Sequence, residues 1–243
     1  MEALTLLVGL VAVLAGAIAA VTGFGVGSLL TPAFAIHTGA KLAVAAVAIP
    51  HFIATAQRFW MLRRHVDRRV LWGFGVASAV GGLGGALLHT RVSSRALAIV
   101  FGLLLVLAGV SELTGWMRRV RWSRPAAWVA GALSGALGGL VGNQGGIRSA
   151  AMLGFEVPQQ SFVATATAIA LFVDGARLPV YLVTQGREIL GIWPLVLAAT
   201  VGAIIGTAGG TPLLGRLPPI VFRRILSGLL ILLGVYMALT GGV

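Results

Sequence analysis

The chain has no cysteine and only six acidic residues among its 243. The first absence excludes disulfides, thiolate catalysis and cysteine-ligated metals. The second leaves little for acid–base chemistry, because Glu2, Glu112, Glu156 and Glu188 all fall at segment ends. His37, His51, His65 and His89 are scattered without metal-ligand spacing, so neither a metal nor a cofactor is expected. Charge of either sign is scarce, at 10% of residues, while 58% are hydrophobic and mean hydropathy is +0.99. A soluble domain of this size cannot hide so much apolar surface, whereas a bilayer solvates it directly.

The net charge of +12 has a membrane explanation rather than a nucleic-acid one. The arginines sit in short connections between apolar runs, as the positive-inside rule predicts, and no basic face with base-stacking aromatics accompanies them. Apolar runs lie at about 4–22, 41–60, 70–89, 96–116, 126–142, 160–183, 189–210 and 219–240. The expected fold is an all-α integral membrane protein of about eight transmembrane helices. The first run lacks a basic leader and a clear cleavage site, and it reads as a retained span.

Two polar, glycine-rich breaks interrupt this pattern. The first is Thr22-Gly23-Phe24-Gly25-Val26-Gly27-Ser28 and the second is Val141-Gly142-Asn143-Gln144-Gly145-Gly146-Ile147-Arg148. Each is followed by a run too short to span, 28–36 and 147–155, which reads as a half-helix or re-entrant piece. Glycine stops or unwinds a helix. Irregular backbone at membrane depth survives only where protein or a water-filled cavity satisfies it. A matched pair of interrupted segments points to a transporter's binding site.

The halves also align with each other. A shift of 119 places Gly23 on Gly142, Gly27 on Gly146, Thr55 on Asp174 and Arg58 on Arg177. A shift of 121 places Gly81 and Gly85 on Gly202 and Gly206, and one of 126 places Leu113-Thr114-Gly115 on Leu239-Thr240-Gly241. Two four-helix repeats are therefore expected, at 1–117 and 126–243, joined by a basic cytoplasmic connection at 118–125. Four spans per half make the repeats parallel; an extra crossing hidden in each break makes them inverted. Charge counting favours the parallel arrangement, with both termini in the cytoplasm. Glycine rows at four-residue spacing (81/85, 131/135/139, 202/206) suit tight packing within the chain or a homodimer.

Amides freed by the breaks, and the positive ends of the half-helices after them, suit an anion. Asn143 and Gln144 add neutral donors. Arg148 adds a guanidinium that either grips an oxyanion or reaches lipid headgroups at an interface. Asp174 and Arg177, three apart inside an apolar run, are either functional or an ion pair near the membrane edge. Arg58 is assigned to the cytoplasmic basic cluster. His51 is either part of a proton relay or a satisfied histidine of the bundle, and Thr165 and Thr167 line the sixth span. Gly23-x-Gly25-x-Gly27 lacks the strand–helix unit of a dinucleotide site, and no enzyme is expected.

Three segments together resemble the TauE/SafE sulfite-exporter-like (TSUP) family: Gly23 to Pro32, Gly138 to Gly146, and Phe162 to Tyr181. The resemblance implies transport of a small sulfur-containing or organic anion such as sulfite or a sulfonate, and no catalysis. It also implies substrate contacts at Gly23 to Gly27 and Gly142 to Gly146 and nearby polar side chains. Asn143-Gln144, Arg148, and the lack of a counterpart to Pro32 near Ala151 depart from the family pattern. The combined expectation is an alternating-access anion transporter of a bacterial inner membrane, or a passive anion channel. Substrate contacts are expected from Thr22, Gly23, Phe24, Gly25, Gly27, Ser28, Gly142, Asn143, Gln144, Gly145, Gly146, Arg148 and Thr165. Proton coupling is expected to involve His51, Asp174 and Arg177.

Overall fold

A computed structural model describes residues 2–116, 124–143, 145, 148, 152, 155, 158–214 and 218–241. The described residues are helical throughout, with short connections. The helices are α1 (Glu2–Thr22), α2 (Val26–Leu62), α3 (Arg68–His89), α4 (Ser94–Thr114), α5 (Arg124–Val141), α6 (Gln159–Gly191), α7 (Trp193–Leu214) and α8 (Pro219–Thr240). Seven are long and apolar enough to cross a bilayer, and Pro125–Val141 is a shorter apolar helix. Gln144, Gly146 and most of the 118–125 connection lie outside the described residues.

Glycines with positive φ end the helices where the sequence requires it. Gly23 (φ 82°) and Gly142 (φ 76°) follow α1 and α5, and each donates its N–H at 2.9 Å to the carbonyl four residues back, Ala19 and Gly138. Gly115 and Gly241, matched at a shift of 126, cap α4 and α8 in the same left-handed conformation. A side chain at any of these sites would strain the backbone. Asp67 caps α3 by accepting the N–H groups of Arg69 and Val70.

Gly39 (φ 73°, ψ 157°) divides α2 into two arms, 26–38 and 40–62. The first arm doubles back along α1: Leu29 sits beside Ile18, while Ile36 and His37 reach the end that holds Leu4. The second arm returns alongside α1, so that Arg58 meets Ala19. The 28–36 run is thus a chain-reversing piece, and its presence changes the direction of everything after it.

Four helix pairs build the bundle. α1 runs parallel to α7 and α3 parallel to α5, backbone against backbone. A methyl at Gly85 would overlap the Ala136 carbonyl, and one at Gly139 the Gly82 carbonyl; Gly206 faces Val13 in the same manner. The glycine rows thus pack the chain on itself. The second arm of α2 lies antiparallel to α6, with His51 on Asp174 and Arg58 on Thr167. α4 lies antiparallel to α8, with Gly102 at Gly234 and Gly109 at Ser227.

Two expectations need correction. The second arm of α2 and α6, matched at a shift of 119, pack antiparallel, as do α4 and α8, matched at 126; this disagrees with the parallel arrangement that charge counting favoured with 26–38 left out of the crossing count. The 121 register is also one turn off. Gly81 and Gly85 face Ala132 and Ala136, whereas Gly206 and Gly210 face Val13 and Ala17. Since Val13 and Ala17 match Ala132 and Ala136 at a shift of 119, Gly81 and Gly85 correspond to Gly206 and Gly210.

Candidate functional site

The two glycine breaks touch. A methyl on Gly27 would stand 2.7 Å from the Gly142 carbonyl oxygen and 3.7 Å from His51 Cδ2, and one on Gly145 would overlap Phe24. Only glycine allows these approaches. His51 lies midway along the second arm of α2 and Asp174 midway along α6, so the contact is near the centre of both helices.

The first break offers backbone more than side chains. Its Thr22 hydroxyl is bound within its own turn, donating to Ile18 O at 2.9 Å while Phe24 N reaches it at 3.2 Å. No side chain caps α2 at Gly25, and the first amide in its ladder is Leu29 N on Gly25 O, at 3.1 Å. The amides of Val26, Gly27 and Ser28 therefore precede the ladder at the positive end of the arm. Ser28 is buried beside them.

The second break offers side chains. Arg148 is 3% exposed, and among the described residues its Nε and Nη1 have no hydrogen-bond partner; buried Asn143 leaves Nδ2 equally unpaired. Such orphaned donors are rare inside proteins. Arg148 lies within electrostatic reach of Arg58 and Asp174.

A polar core supports both breaks. Asp174 accepts from His51 Nδ1 at 2.6 Å and from Arg177 Nε at 2.9 Å, with Arg177 Nη2 at 2.8 Å. Arg177 also donates to Gly138 O at 2.9 Å, and Arg58 donates to Ala19 O at 2.7 Å and to Thr167 Oγ1 at 3.2 Å. Gly138 and Ala19 are the same carbonyls that receive the N–H groups of Gly142 and Gly23. Each arginine thus caps the helix end that leads into one break. Beside Arg177, the Tyr181 hydroxyl donates to Gly139 O and His89 Nδ1 to Leu140 O. Three consecutive carbonyls at the end of α5 are each held by a side chain from another helix.

Most of the expected residues are brought together: Gly23, Phe24, Gly25, Gly27, Ser28, Gly142, Asn143, Gly145 and Arg148 at the breaks, with His51, Asp174 and Arg177 against them. Thr165 is not among them. Its hydroxyl accepts from Asp67 N at 2.9 Å, at the far end of α6, where it pins the α2–α3 connection. Asp174 and Arg177 are fully buried rather than at a membrane edge, and Arg58, at 6% exposure, is not part of the surface basic cluster. Arg58 went unread because Arg63, Arg64, Arg68 and Arg69 follow so closely. Its match to Arg177 is the sequence signal that could have found it. Thr55, matched to Asp174, is buried with its hydroxyl unpartnered.

Beyond Arg58 the helix opens on a cleft of about 570 Å³ lined by Phe59, Arg63, Arg64 and Arg68, with Arg63 stacked 3.7 Å over Trp60. A cationic mouth of this kind raises the local concentration of anions.

No curated protein and no solved structure matches the chain. The profile described as Sulfite exporter TauE/SafE matches residues 8–237, nearly the whole length. With its apolar helices and its paired breaks, the chain belongs to the TauE/SafE sulfite exporter family.

Proposed function

We propose that this multi-pass membrane protein carries a small anion, sulfite or a sulfonate, across a bacterial inner membrane by alternating access, with the anion held between the two breaks. The observation that carries the reading is Arg148, a residue of the second break, buried with two donor atoms unpaired among the described residues, while the two breaks touch at Gly27–Gly142 and Phe24–Gly145. The uncapped start of α2 and the Asn143 amide supply further donors, and Gln144 and Gly146 belong to the same segment in sequence. A neutral groove would not need such a set of unspent donors.

The halves 1–117 and 126–243 are read as inverted repeats. The support is the pairing Arg58–Ala19 against Arg177–Gly138, together with antiparallel packing of matched helices. Repeats of opposite orientation let a central site face either side as one half rocks on the other. Movement of His51 and Asp174 relative to each other is the proposed route of proton coupling, since their contact joins the two halves.

Replacing Arg148 with alanine should lower sulfite flux in proteoliposomes by roughly a hundredfold while the protein still inserts, the loss expected of a truncated buried charge at a ligand. Undiminished flux would remove Arg148 from the site and take the reading with it.

Sidedness follows from the same chain directions. One end holds Arg63, Arg64, Arg68, Arg69, Arg223 and Arg224; in sequence, Arg118, Arg119 and Arg121 fall between α4 and α5 and Arg216 between α7 and α8. The opposite end holds Lys41, Arg91, Arg95 and Arg187, together with both termini. The positive-inside rule then places the termini outside the cytoplasm, the reverse of the sequence expectation. Because the chain has no cysteine, single cysteines can report this directly. A cysteine at Gly241 should react with an impermeant maleimide in intact cells, and one at Arg64 only after lysis; the opposite pattern would return the termini to the cytoplasm.

A further inference from the structure

The buried charges at the centre do not balance. Three guanidinium groups are buried there, Arg58 (6% exposed), Arg148 (3%) and Arg177 (2%), against one carboxylate among the described residues, Asp174 (0%). Asp174 is taken by Arg177 through two nitrogens, and its other oxygen is held by His51. Arg58 is bonded only to neutral groups, the Ala19 carbonyl and the Thr167 hydroxyl. Arg148 has two donor atoms bonded to nothing. The other described acids stand apart: Asp67 caps α3, while Glu2, Glu112 and Glu188 lie at helix ends.

Among the described residues one carboxylate thus faces three guanidinium groups; Asp174, already engaged by Arg177 and His51, cannot offset Arg58 and Arg148 in full, and those two lie near enough to repel one another. Buried charge is retained only where something compensates it. A monoanion neutralises half of this excess and leaves the other cation exposed to a low-dielectric interior. A dianion neutralises all of it.

We propose that the site selects its cargo by charge, favouring a small doubly charged oxyanion over a singly charged one of similar size. This inference rests on the proposed placement of the anion at Arg148. Arg148 contacts the cargo, whereas Arg58, its donors already engaged, contributes field. Arg58 is thus a specificity-determining residue that need not touch the anion.

Electrostatic energy is linear in the charge of the ligand, which gives the test its form. If removal of one buried cation weakens a monoanion by some factor, it weakens a dianion by about the square of that factor. Inhibition of radiolabelled sulfite uptake in proteoliposomes by sulfate (divalent) and by methanesulfonate (monovalent) reads both. Wild-type protein should bind sulfate at least about tenfold more tightly than methanesulfonate. In Arg58→Gln, a tenfold loss for methanesulfonate should accompany a loss of about a hundredfold for sulfate, and Arg58→Lys, which keeps the charge, should restore the ratio.

Equal inhibition by the two anions in wild-type protein would overturn the proposal, even if Arg58→Gln fails to accumulate. Equal losses in Arg58→Gln would also overturn it, because they would make Arg58 a packing element. The underlying placement fails separately, through a transport-competent Arg148→Ala variant, and survives if only charge preference is missing.

Discussion

Replacing Asp174 with alanine should destabilise the protein by about 3–5 kcal/mol, the usual result of stripping one partner from a buried ion pair. The carboxylate accepts three hydrogen bonds or ion-pair contacts, and its loss leaves Arg177, at 2% exposure, with Gly138 O and the neighbouring Tyr181 but no carboxylate among the described residues. His51 loses its Nδ1 contact at the same stroke. Asp174→Asn keeps an acceptor and the volume, so it should accumulate better, yet lose transport because the charge joining the two halves is gone. Adding Arg177→Leu to Asp174→Ala should recover much of the stability, since apolar replacement of a whole buried pair is often neutral. Thermal denaturation in detergent of the two single variants and the double variant is the measurement. A fully stable Asp174→Ala protein would mean that the acid–arginine–histidine cluster is not what holds α2 against α6.

A second large effect is expected at Gly27. A valine there would drive its Cβ to 2.7 Å from the Gly142 carbonyl and its branches into His51. Both obstacles are held firmly, one being backbone and the other tied to Asp174. The two breaks must then separate, and the contact between Gly27 and Gly142 is lost. Transport should fall below detection, with insertion and contacts far from the breaks, such as Asp67 N to Thr165, retained. Overpacking of this kind costs about 1–3 kcal/mol, enough to displace a half-helix without unfolding a bundle. Transport at wild-type rate in Gly27→Val would show that the breaks need not meet.

The spans were legible in the sequence because hydropathy over twenty residues is a strong signal, and the half-helix at 28–36 was legible because a glycine cluster precedes a run too short to span. Direction was not. Whether the halves are parallel depends on the parity of crossings, and a single thirteen-residue arm ending at Gly39 decides it; nothing in composition marks Gly39 apart from the chain's other glycines. The one-turn slip at Gly81 and Gly85 has a similar cause. Glycines at 202, 206 and 210 repeat every four residues, so neighbouring registers look alike until the facing carbonyls are known.

Site residues divide along the same line. Gly27, Gly142 and Arg148 were readable because they sit in the breaks themselves. Thr165 was misassigned because a helix carries Thr165 and Thr167 on different sides, one towards Asp67 and the other towards Arg58. Arg58, Tyr181 and His89 act across the bundle on carbonyls of other helices, and such pairings have no local pattern to betray them.

The moorings of the two breaks are unequal. Arg177, Tyr181 and His89 tether three successive peptide units at the tail of α5, from two different helices. At the tail of α1, among the described residues, Arg58 is the side chain that reaches across, and Thr22 folds back on its own turn. One break is thus built as a stator and the other as the more compliant blade. Motion started at the centre should travel along the first arm of α2 towards Gly39, leaving the arginine-bearing lip of the second break in place.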